Sequence, residues 1–377
     1  MNIHLVQDEK FINKSIERFE TYYPNSNIFF VYVNRLFDGK FKYCKSSNNV
    51  IPIKFNYYNC FNIILNQTKD NDNIFIHSLN SVRANHVMRL KKNKDVKLFW
   101  IFYGADLYGR LNKSRKYELF DYPILVKSSF SLKFRSFISK KILGFLNNSE
   151  DDFIKSFDYF CFWNYNDYLL LKKHYKIRAK FKFFRYYDAP IGLEKEFNFT
   201  NKKGYLMVNQ SASKNGNHIT ILKRLDTLKL GQNIKQIFVP LSYGVDFVKN
   251  SVLEYGSMRF GEKFHPIINY IDKKKYFELL NHIDVAIFGQ RRQEGGNNIF
   301  YLLSIGAKVF LRRDNNMLKY LKDKGYFVFE FENDLNSVND IYNFTFEEKK
   351  MNRKLVLAEF SQYKIDQTYK RLLNFES

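Results

Sequence analysis

Short uninterrupted apolar runs recur along the chain, and between them apolar residues fall three and four apart. The first pattern marks strands buried on both faces; the second marks helices with one apolar face. In the first half the runs are Ile3–Val6, Ile28–Val33, Ile74–His77, Val96–Phe102 and Phe157–Trp163. Helices are predicted after the first strand through Phe19 and over Ala84–Lys94, the latter basic. Lys180–Tyr187 is a further apolar segment. The polar stretch behind it, with Pro190, Gly192 and Gly204, marks a boundary that divides the chain into 1–190 and 191–377. A second alternating series then begins. Its strands are Tyr205–Val208, Ile234–Val239, Asp284–Phe288, Lys308–Arg312 and Tyr326–Glu330, and its helices are Ile219–Leu228, Val245–Tyr255 and Lys273–Asn281. The tail, Glu347–Phe375, reads as two helices. Strands alternating with helices predict an α/β protein of two Rossmann-like, doubly wound domains facing a cleft, with C-terminal helices and ligands at the carboxyl ends of the strands.

Length and charge sharpen that picture. At 377 residues the chain is long for one domain and suited to two. Three cysteines without a CxxC spacing predict neither a disulfide scaffold nor a zinc site, and fit a reducing cytoplasm. The net charge of +23 calls for an anionic partner: nucleic acid, an acidic membrane surface or a phosphorylated substrate. No apolar run approaches the ~20 residues that span a bilayer, and the N-terminus has no signal-peptide core. The aromatic fraction, 18%, is compatible with an AT-rich genome and is given no functional weight.

The most informative stretch follows the strand at Asp284–Phe288. Arg291 and Arg292 come off its end, then Glu294, the pair Gly295-Gly296 and Asn297-Asn298, and from Ile299 the spacing is helical until Gly306. Strand, basic glycine-rich turn and helix aim free N–H groups and a positive dipole at one spot, where a phosphate-bearing ligand would sit. Alternatively the glycines form only a tight turn and the arginines are surface charge. Asn209, Ser211, Ser213 and Lys214 lie in a second strand–helix loop that would hold a diphosphate from the other side, or else is an ordinary helix cap. Pro240 and Tyr243 belong to the matching loop after the next strand. No metal-ligating motif appears: the one D-x-D, Asp70-Asn71-Asp72, reads as a turn before a strand.

In the first half, Asp106 falls just past the strand ending at Phe102. It is either a general base toward an acceptor hydroxyl or a helix cap. His77 sits at the end of the preceding strand, as an acceptor-side residue or a packed one. The stretch 122–146 carries Lys127, Lys133, Arg135, Lys140 and Lys141 among phenylalanines, leucines and isoleucines, with no acid. It suits a membrane interface next to anionic lipids, or a packed helix with a basic outer face. A basic nucleic-acid-binding protein is the rival of a different class, but no nucleic-acid motif supports it.

Together, Trp100-x-x-Tyr-Gly-Ala-Asp-Leu-Tyr108, Val208-Asn-Gln-Ser with Asn217-His218-Ile219, Val239-Pro-Leu-x-Tyr243, and Tyr276-x-x-Leu-Leu followed by Asp284 and Arg292-Gln293-x-Gly295 resemble glycosyltransferase family 56. These are the transferases that move 4-acetamido-4,6-dideoxygalactose (Fuc4NAc) from its TDP-sugar to lipid II in enterobacterial common antigen synthesis. The motifs run in order over roughly residues 74 to 320. The resemblance implies a metal-independent GT-B enzyme with no cofactor. It implies a dTDP-sugar donor bound by the second domain and a polyprenyl-diphosphate-linked glycan acceptor met by the first, at the inner face of the bacterial membrane. Asn209, Ser211, Ser213, Lys214, Pro240, Tyr243, Arg291, Arg292, Gly295, Gly296 and Asn297 would then serve the donor, with Asp106 and His77 on the acceptor side. Glu294 stands where the family carries a second Gln and would contact sugar or ribose hydroxyls. A UDP- or GDP-sugar donor for another surface glycan is the variant reading.

Overall fold

The computed structural model describes residues 1–9, 11–34, 36–54, 57–121, 152–187, 189–190, 192–193, 196–199, 204–229 and 234–374. The chain forms two compact units. The basic aromatic stretch 122–146 lies outside the described residues, and so does half of the polar boundary 188–203.

The first unit comprises Met1–Arg110, Leu125–Asp188 and Ile365–Ser377. Its seven strands are β1 (Asn2–Gln7), β2 (Asn27–Val33), β3 (Val50–Lys54), β4 (Asn73–His77), β5 (Lys97–Ile101), β6 (Tyr159–Phe162) and β7 (Lys180–Phe183). They are all parallel, in the order β3-β2-β1-β4-β5-β6-β7. The order reverses between β1 and β4, the switch point of a doubly wound sheet. The helices are α1 (Ile12–Tyr22), α2 (Tyr57–Gln67), α3 (Ser81–Asn93), α4 (Ala105–Lys113) and α5 (Tyr165–His174). Asn80 caps α3 by accepting the Arg83 N–H at 3.0 Å, and Asn164 caps α5 in the same manner.

The aromatic residues have a structural use here. Phe29, His4, Phe75, Phe99 and Tyr159 occupy matched register positions on β2, β1, β4, β5 and β6. Their rings stack in sequence across the sheet, with centroids 4.2, 4.8, 4.5 and 4.6 Å apart. Such cross-strand aromatic pairs fix register as well as burying area. Phe19 of α1 packs edge-on against His4 and Phe75. The C-terminal tail seals the same layer: Tyr369 stacks on Tyr22 at 4.8 Å, and Asp366 accepts the Tyr22 hydroxyl. Residues 365–377 therefore belong to the first unit, although the reading of the sequence assigned the whole tail to the second domain.

The second unit comprises Leu111–Ile124 and Ala189–Lys364. Its strands are β8 (Tyr205–Val208), β9 (Gln236–Pro240), β10 (Phe264–Ile267), β11 (Ile283–Phe288), β12 (Lys308–Leu311) and β13 (Phe329–Glu330). They are parallel in the order β10-β9-β8-β11-β12-β13, so the switch point lies between β8 and β11. Its helices are α6 (His218–Thr227), α7 (Asp246–Phe260), α8 (Lys273–Leu280), α9 (Gly296–Ser304), α10 (Asn316–Asp323), α11 (Asn339–Tyr342) and α12 (Phe346–Glu359); α13 (Gln362–Leu372) carries the chain back to the first unit. On one face of the sheet, Leu206, Val208, Val239, Val285 and Ile287 bury against Ile221, Leu222 and Leu225 of α6. The bulge in β11 between Ile283 and Val285 frees the Asp284 carboxylate, which accepts the N–H groups of Gly204 and Tyr205 at the foot of β8. Residues 111–121, expected in the first domain, belong to this second unit.

Burial also sets acid sensitivity. His77 is fully buried; burial, with the nearby Arg83 charge, lowers its pKa to about 3, and burial lowers His218 to about 4. Unfolded histidine titrates near ~6.5. Between about 6.5 and about 4 the unfolded chain takes up protons the folded chain refuses, so stability falls as pH falls. The urea midpoint should be lower at pH 5.0 than at pH 7.5, a window in which ordinary carboxylates stay ionised. An unchanged midpoint would contradict this burial.

Candidate functional site

In the second unit the loops after β8, β11 and β12 come together at the carboxyl edge of the sheet, and three asparagines lock them. Asn209 (φ +57°) is fully buried. Its side chain donates to the Gly216 carbonyl at 2.8 Å and accepts the Gly289 N–H at 2.8 Å, joining the β8 loop to the β11 loop across the switch point. Asn217 (φ +45°) donates to the carbonyls of Gly289 (2.8 Å), Asn215 (3.2 Å) and Leu119 (3.1 Å), while its own side-chain oxygen accepts the Asp121 N–H at 3.0 Å. Asn315, which caps α10, reaches back to the Gln290 and Arg292 carbonyls, both at 2.9 Å.

The start of α9 is the polar centre of this edge. Gly295, at φ +73°, precedes the helix, and a Cβ there would stand 2.9 Å from the Gln210 side chain. The position therefore requires glycine for conformation and for room. The opening N–H groups of α9 have no partner within the helix and point outward with its positive dipole. Gln210 accepts from Gln290 at 3.2 Å and approaches Glu294 at 3.5 Å. Arg292 pairs with Glu294 at 2.8 Å. With its amide turned so that the oxygen faces the guanidinium, Asn215 accepts from Arg292 Nε at 3.1 Å. Three buried polar atoms in this loop, Gln290 Oε1, Gln293 Nε2 and Asn297 Oδ1, find no hydrogen-bond partner within the described protein. Unsatisfied buried groups are costly, and a cluster of them at one edge is what a ligand with several acceptors and donors would satisfy.

The predicted residues divide into those brought to this centre and those used elsewhere. Gly295, Gly296, Asn297, Arg292 and Glu294 form it; Ser211 is buried beside it. Ser213 accepts the Asn215 N–H at 3.3 Å, the helix-cap alternative for that loop. Lys214 is exposed, with its ammonium 5.3 Å over the Phe247 ring. Asn209 acts as a staple. Pro240 is buried at the end of β9, and Tyr243 stands 55% exposed next to Gly244, whose loop pairs with Ala212. Arg291 departs most from expectation, because its guanidinium is already spent on carboxylates: Asp121 at 2.7 Å, Asp314 at 3.2 Å and Glu118 at 3.6 Å. Gln210, Gln290, Asn217 and Asp121 were missed. Gln210 and Asn217 stood within the quoted family motifs without being assigned a role, Gln290 was signalled only by its place beside Arg291, and nothing local in the sequence marked Asp121.

In the first unit, Asp106 opens α4 and is 7% exposed. Its Oδ2 accepts from the Leu79 N–H (3.0 Å) and the Trp100 indole (2.8 Å), tying β4, β5 and α4 together, while its buried Oδ1 has no partner among the described residues. Burial pushes its pKa up against the effect of those two bonds. His77 does not line an open surface. It lies inside β4 with its Nε2 3.1 Å from His4 Nδ1 and its Nδ1 3.4 Å from the Tyr103 hydroxyl. β4 ends at His77, where the apolar run predicted, and this last residue is still inside the core. Asp70 and Asp72 accept backbone N–H groups of Asp95 and Lys69, so the D-x-D is a turn. Among the described residues no group of three or more His, Cys, Asp or Glu side chains is arranged to hold a metal ion, and no helix is long and apolar enough to cross a membrane.

Comparison with known proteins agrees with this layout. The family described as 4-alpha-L-fucosyltransferase, glycosyl transferase group 56, matches residues 167–371, more than half of the chain. No curated protein matches. Among solved structures, sucrose-phosphate synthase from Thermosynechococcus elongatus superposes with a TM-score of 0.64 at 9% identity, covering 99% of this chain and 98% of that one. An E. coli trehalose-6-phosphate structure bound with UDP-2-fluoro glucose gives 0.63 at 9%, covering 98% and 97%. A UDP-forming α,α-trehalose-phosphate synthase from Burkholderia xenovorans, in complex with glucose-6-phosphate, gives 0.61 at 8%, covering 99% of each. Likeness at such low identity speaks for the fold, which is GT-B.

The staple makes a sharp prediction. A Cβ on Gly289 would lie 2.1 Å from the Gly216 carbonyl oxygen, so Gly289→Ala must shift backbone and should cost about 1–3 kcal/mol. Gly109, inside α4, has nothing within 4 Å, and Gly109→Ala should gain about 0.5–1 kcal/mol. Thermal unfolding of the two variants should therefore move in opposite directions. Equal stability in both would contradict the close contact between the β8 and β11 loops.

Proposed function

Because the chain belongs to glycosyl transferase group 56 and is a glycosyltransferase, we propose that it moves a 4-acetamido-4,6-dideoxyhexose from a dTDP-sugar to a polyprenyl-diphosphate-linked glycan of a bacterial surface polysaccharide. The observation that carries the donor half of this reading is the polar centre at the start of α9, where a helix N-terminus, Arg292 and three unsatisfied buried amide atoms converge.

The chemistry follows from what leaves. As the glycosidic bond to the nucleotide breaks, negative charge grows on the diphosphate. Fixed N–H dipoles and a guanidinium stabilise that charge more than they stabilise the ground state. Arg292 is the arginine proposed for this work, with the N–H groups at Gly296 and Asn297. Lys214 and Ser211 would add contacts from the β8 loop. Glu294, held by Arg292, would accept from a sugar or ribose hydroxyl. No metal and no cofactor enters this scheme. If the transfer inverts configuration, Asp106 Oδ1 is the group to take the acceptor's hydroxyl proton, its raised pKa bringing it closer to a working base. The net charge of +23 suits an anionic lipid-linked acceptor met at the cytoplasmic membrane surface, with 122–146 as the contact; no nucleic-acid partner is proposed.

The test is transfer from dTDP-, UDP- and GDP-sugars to a synthetic polyprenyl-diphosphate acceptor without added metal. Transfer from the dTDP-sugar supports the full reading, and transfer only from another nucleotide moves the donor. Arg292→Ala should lower kcat/KM by about 100-fold with the fold intact. Asp106→Asn keeps the acceptor for Leu79 and Trp100 but cannot take a proton, so it should cost at least about 100-fold if Asp106 is the base. Near-normal activity in Asp106→Asn would reduce Asp106 to the structural tie described above.

A further inference from the structure

The segment 117–121 crosses the carboxyl edge of the second sheet and touches every loop that builds the polar centre. The Tyr117 hydroxyl lies within hydrogen-bond distance of the backbone carbonyls of Arg291 (2.5 Å) and Asp314 (2.7 Å), in the loops after β11 and β12, and shares its one proton between them. The Leu119 carbonyl and the Asp121 N–H are both held by Asn217 of the β8 loop. The Asp121 carboxylate, 8% exposed, then takes two guanidiniums at once. Arg291 binds Oδ1 through Nε (3.0 Å) and Nη2 (2.7 Å). Arg312 binds Oδ2 through Nη1 (2.6 Å) and Oδ1 through Nη2 (3.0 Å). Glu332 completes Arg312, and Asp314 completes Arg291.

Four arginines thus follow two adjacent strands: Arg291 and Arg312 turn to Asp121, Arg313 turns outward to Glu330, and Arg292 pairs with Glu294 beside the start of α9. We propose that residues 117–121 form a strap that positions the donor loops, with Asp121 as the positioning residue: it immobilises Arg291 and Arg312 and leaves Arg292 and the α9 N-terminus as the fixed positive groups that meet the donor diphosphate. The proposal deepens the donor-site reading above and rests on it. Two physical features argue for it. A bidentate guanidinium–carboxylate pair fixes direction as well as distance. Here one nearly buried carboxylate fixes two guanidiniums, while Tyr117 fixes the backbone between Arg291 and Arg292. Burial works against the charge on Asp121, yet Arg312 and Arg291 outweigh it and hold its pKa below the ordinary range, so the carboxylate remains ionised at neutral pH. Its place in sequence adds a reason for such a strap. The segment leaves α4, which begins with the candidate base Asp106, so one continuous stretch of chain runs from the acceptor-side residue to the donor loops.

The test is the affinity of dTDP and UDP, measured by calorimetry, for the full chain and for Asp121→Asn, Asp121→Glu and Tyr117→Phe, alongside each variant's thermal midpoint. The strap predicts that Asp121→Asn weakens nucleotide binding at least 10-fold, that Asp121→Glu recovers part of the loss, and that Tyr117→Phe, which keeps every charge, weakens it about 3-fold. A purely structural Asp121 would lower the thermal midpoint and leave the nucleotide affinity of the folded protein unchanged, and that result overturns the proposal. Should Asp121→Asn fail to fold, Tyr117→Phe with unchanged affinity overturns it as well. If the unaltered chain binds neither nucleotide, the donor-site reading itself fails and the strap falls with it; that outcome is separable because it appears before any substitution is made.

Discussion

One buried amide holds the second unit's working edge together. At the switch point of a doubly wound sheet, the loops after the two central strands turn to opposite faces and leave a gap that secondary structure cannot close. Asn209, buried and in a left-handed conformation, closes it by giving its N–H to the Gly216 carbonyl and taking the Gly289 N–H. Everything placed by those loops inherits its position from that bridge. Gly295 can then sit against Gln210, α9 can open toward the edge, and Asn217 can take Gly289 from one side and the 117–121 segment from the other. The close passage of Gly289 over the Gly216 carbonyl follows from the same geometry.

Much of this was legible in the sequence, for reasons that also explain what was not. Strands buried on both faces announce themselves as apolar runs, and both units are doubly wound parallel sheets, as the alternation of strands and helices predicts. The strands left unread, β3 and β10, are both edge strands, and each carries a proline, Pro52 and Pro266. A proline interrupts an apolar run on paper, and an edge tolerates it because one side of the strand needs no partner. Phenylalanine and tyrosine content looked like a matter of composition, but Phe29, Phe75, Phe99 and Tyr159 form a stacked row through His4 because their register matches, and register is not visible from one strand at a time. Arg291 and Arg292 are adjacent and chemically identical in sequence. Only tertiary contact separates them, since Asp121, 170 residues away from Arg291, claims one and not the other. His77 takes the packed alternative for a related reason: its neighbours are His4 of β1 and Tyr103 from the turn after β5.

The chemistry is consistent with the scaffold. A glycosyltransferase with a nucleotide-sugar donor needs a site for the departing nucleoside diphosphate, and the one proposed in the second unit combines backbone N–H groups with an arginine–glutamate pair held by Gln210 and the Gln293 carbonyl instead of a cluster of cations. That economy makes sense electrostatically. Positive charge held in fixed geometry at a partly dry edge acts strongly without solvent reorganisation, whereas several loose arginines would bind ground state and transition state alike. The ion pairs around Asp121 remove two arginines from that competition.

The central claim is that this edge of the second unit receives a nucleoside diphosphate. The most direct measurement is the thermal midpoint of the full chain with saturating dTDP, UDP, GDP or CMP in the absence of added metal. A ligand that binds only the folded state at 100 times its Kd adds about 2.7 kcal/mol. Selective stabilisation by a nucleoside diphosphate is predicted, with dTDP the strongest and CMP without effect. An unchanged midpoint with all four would contradict the account.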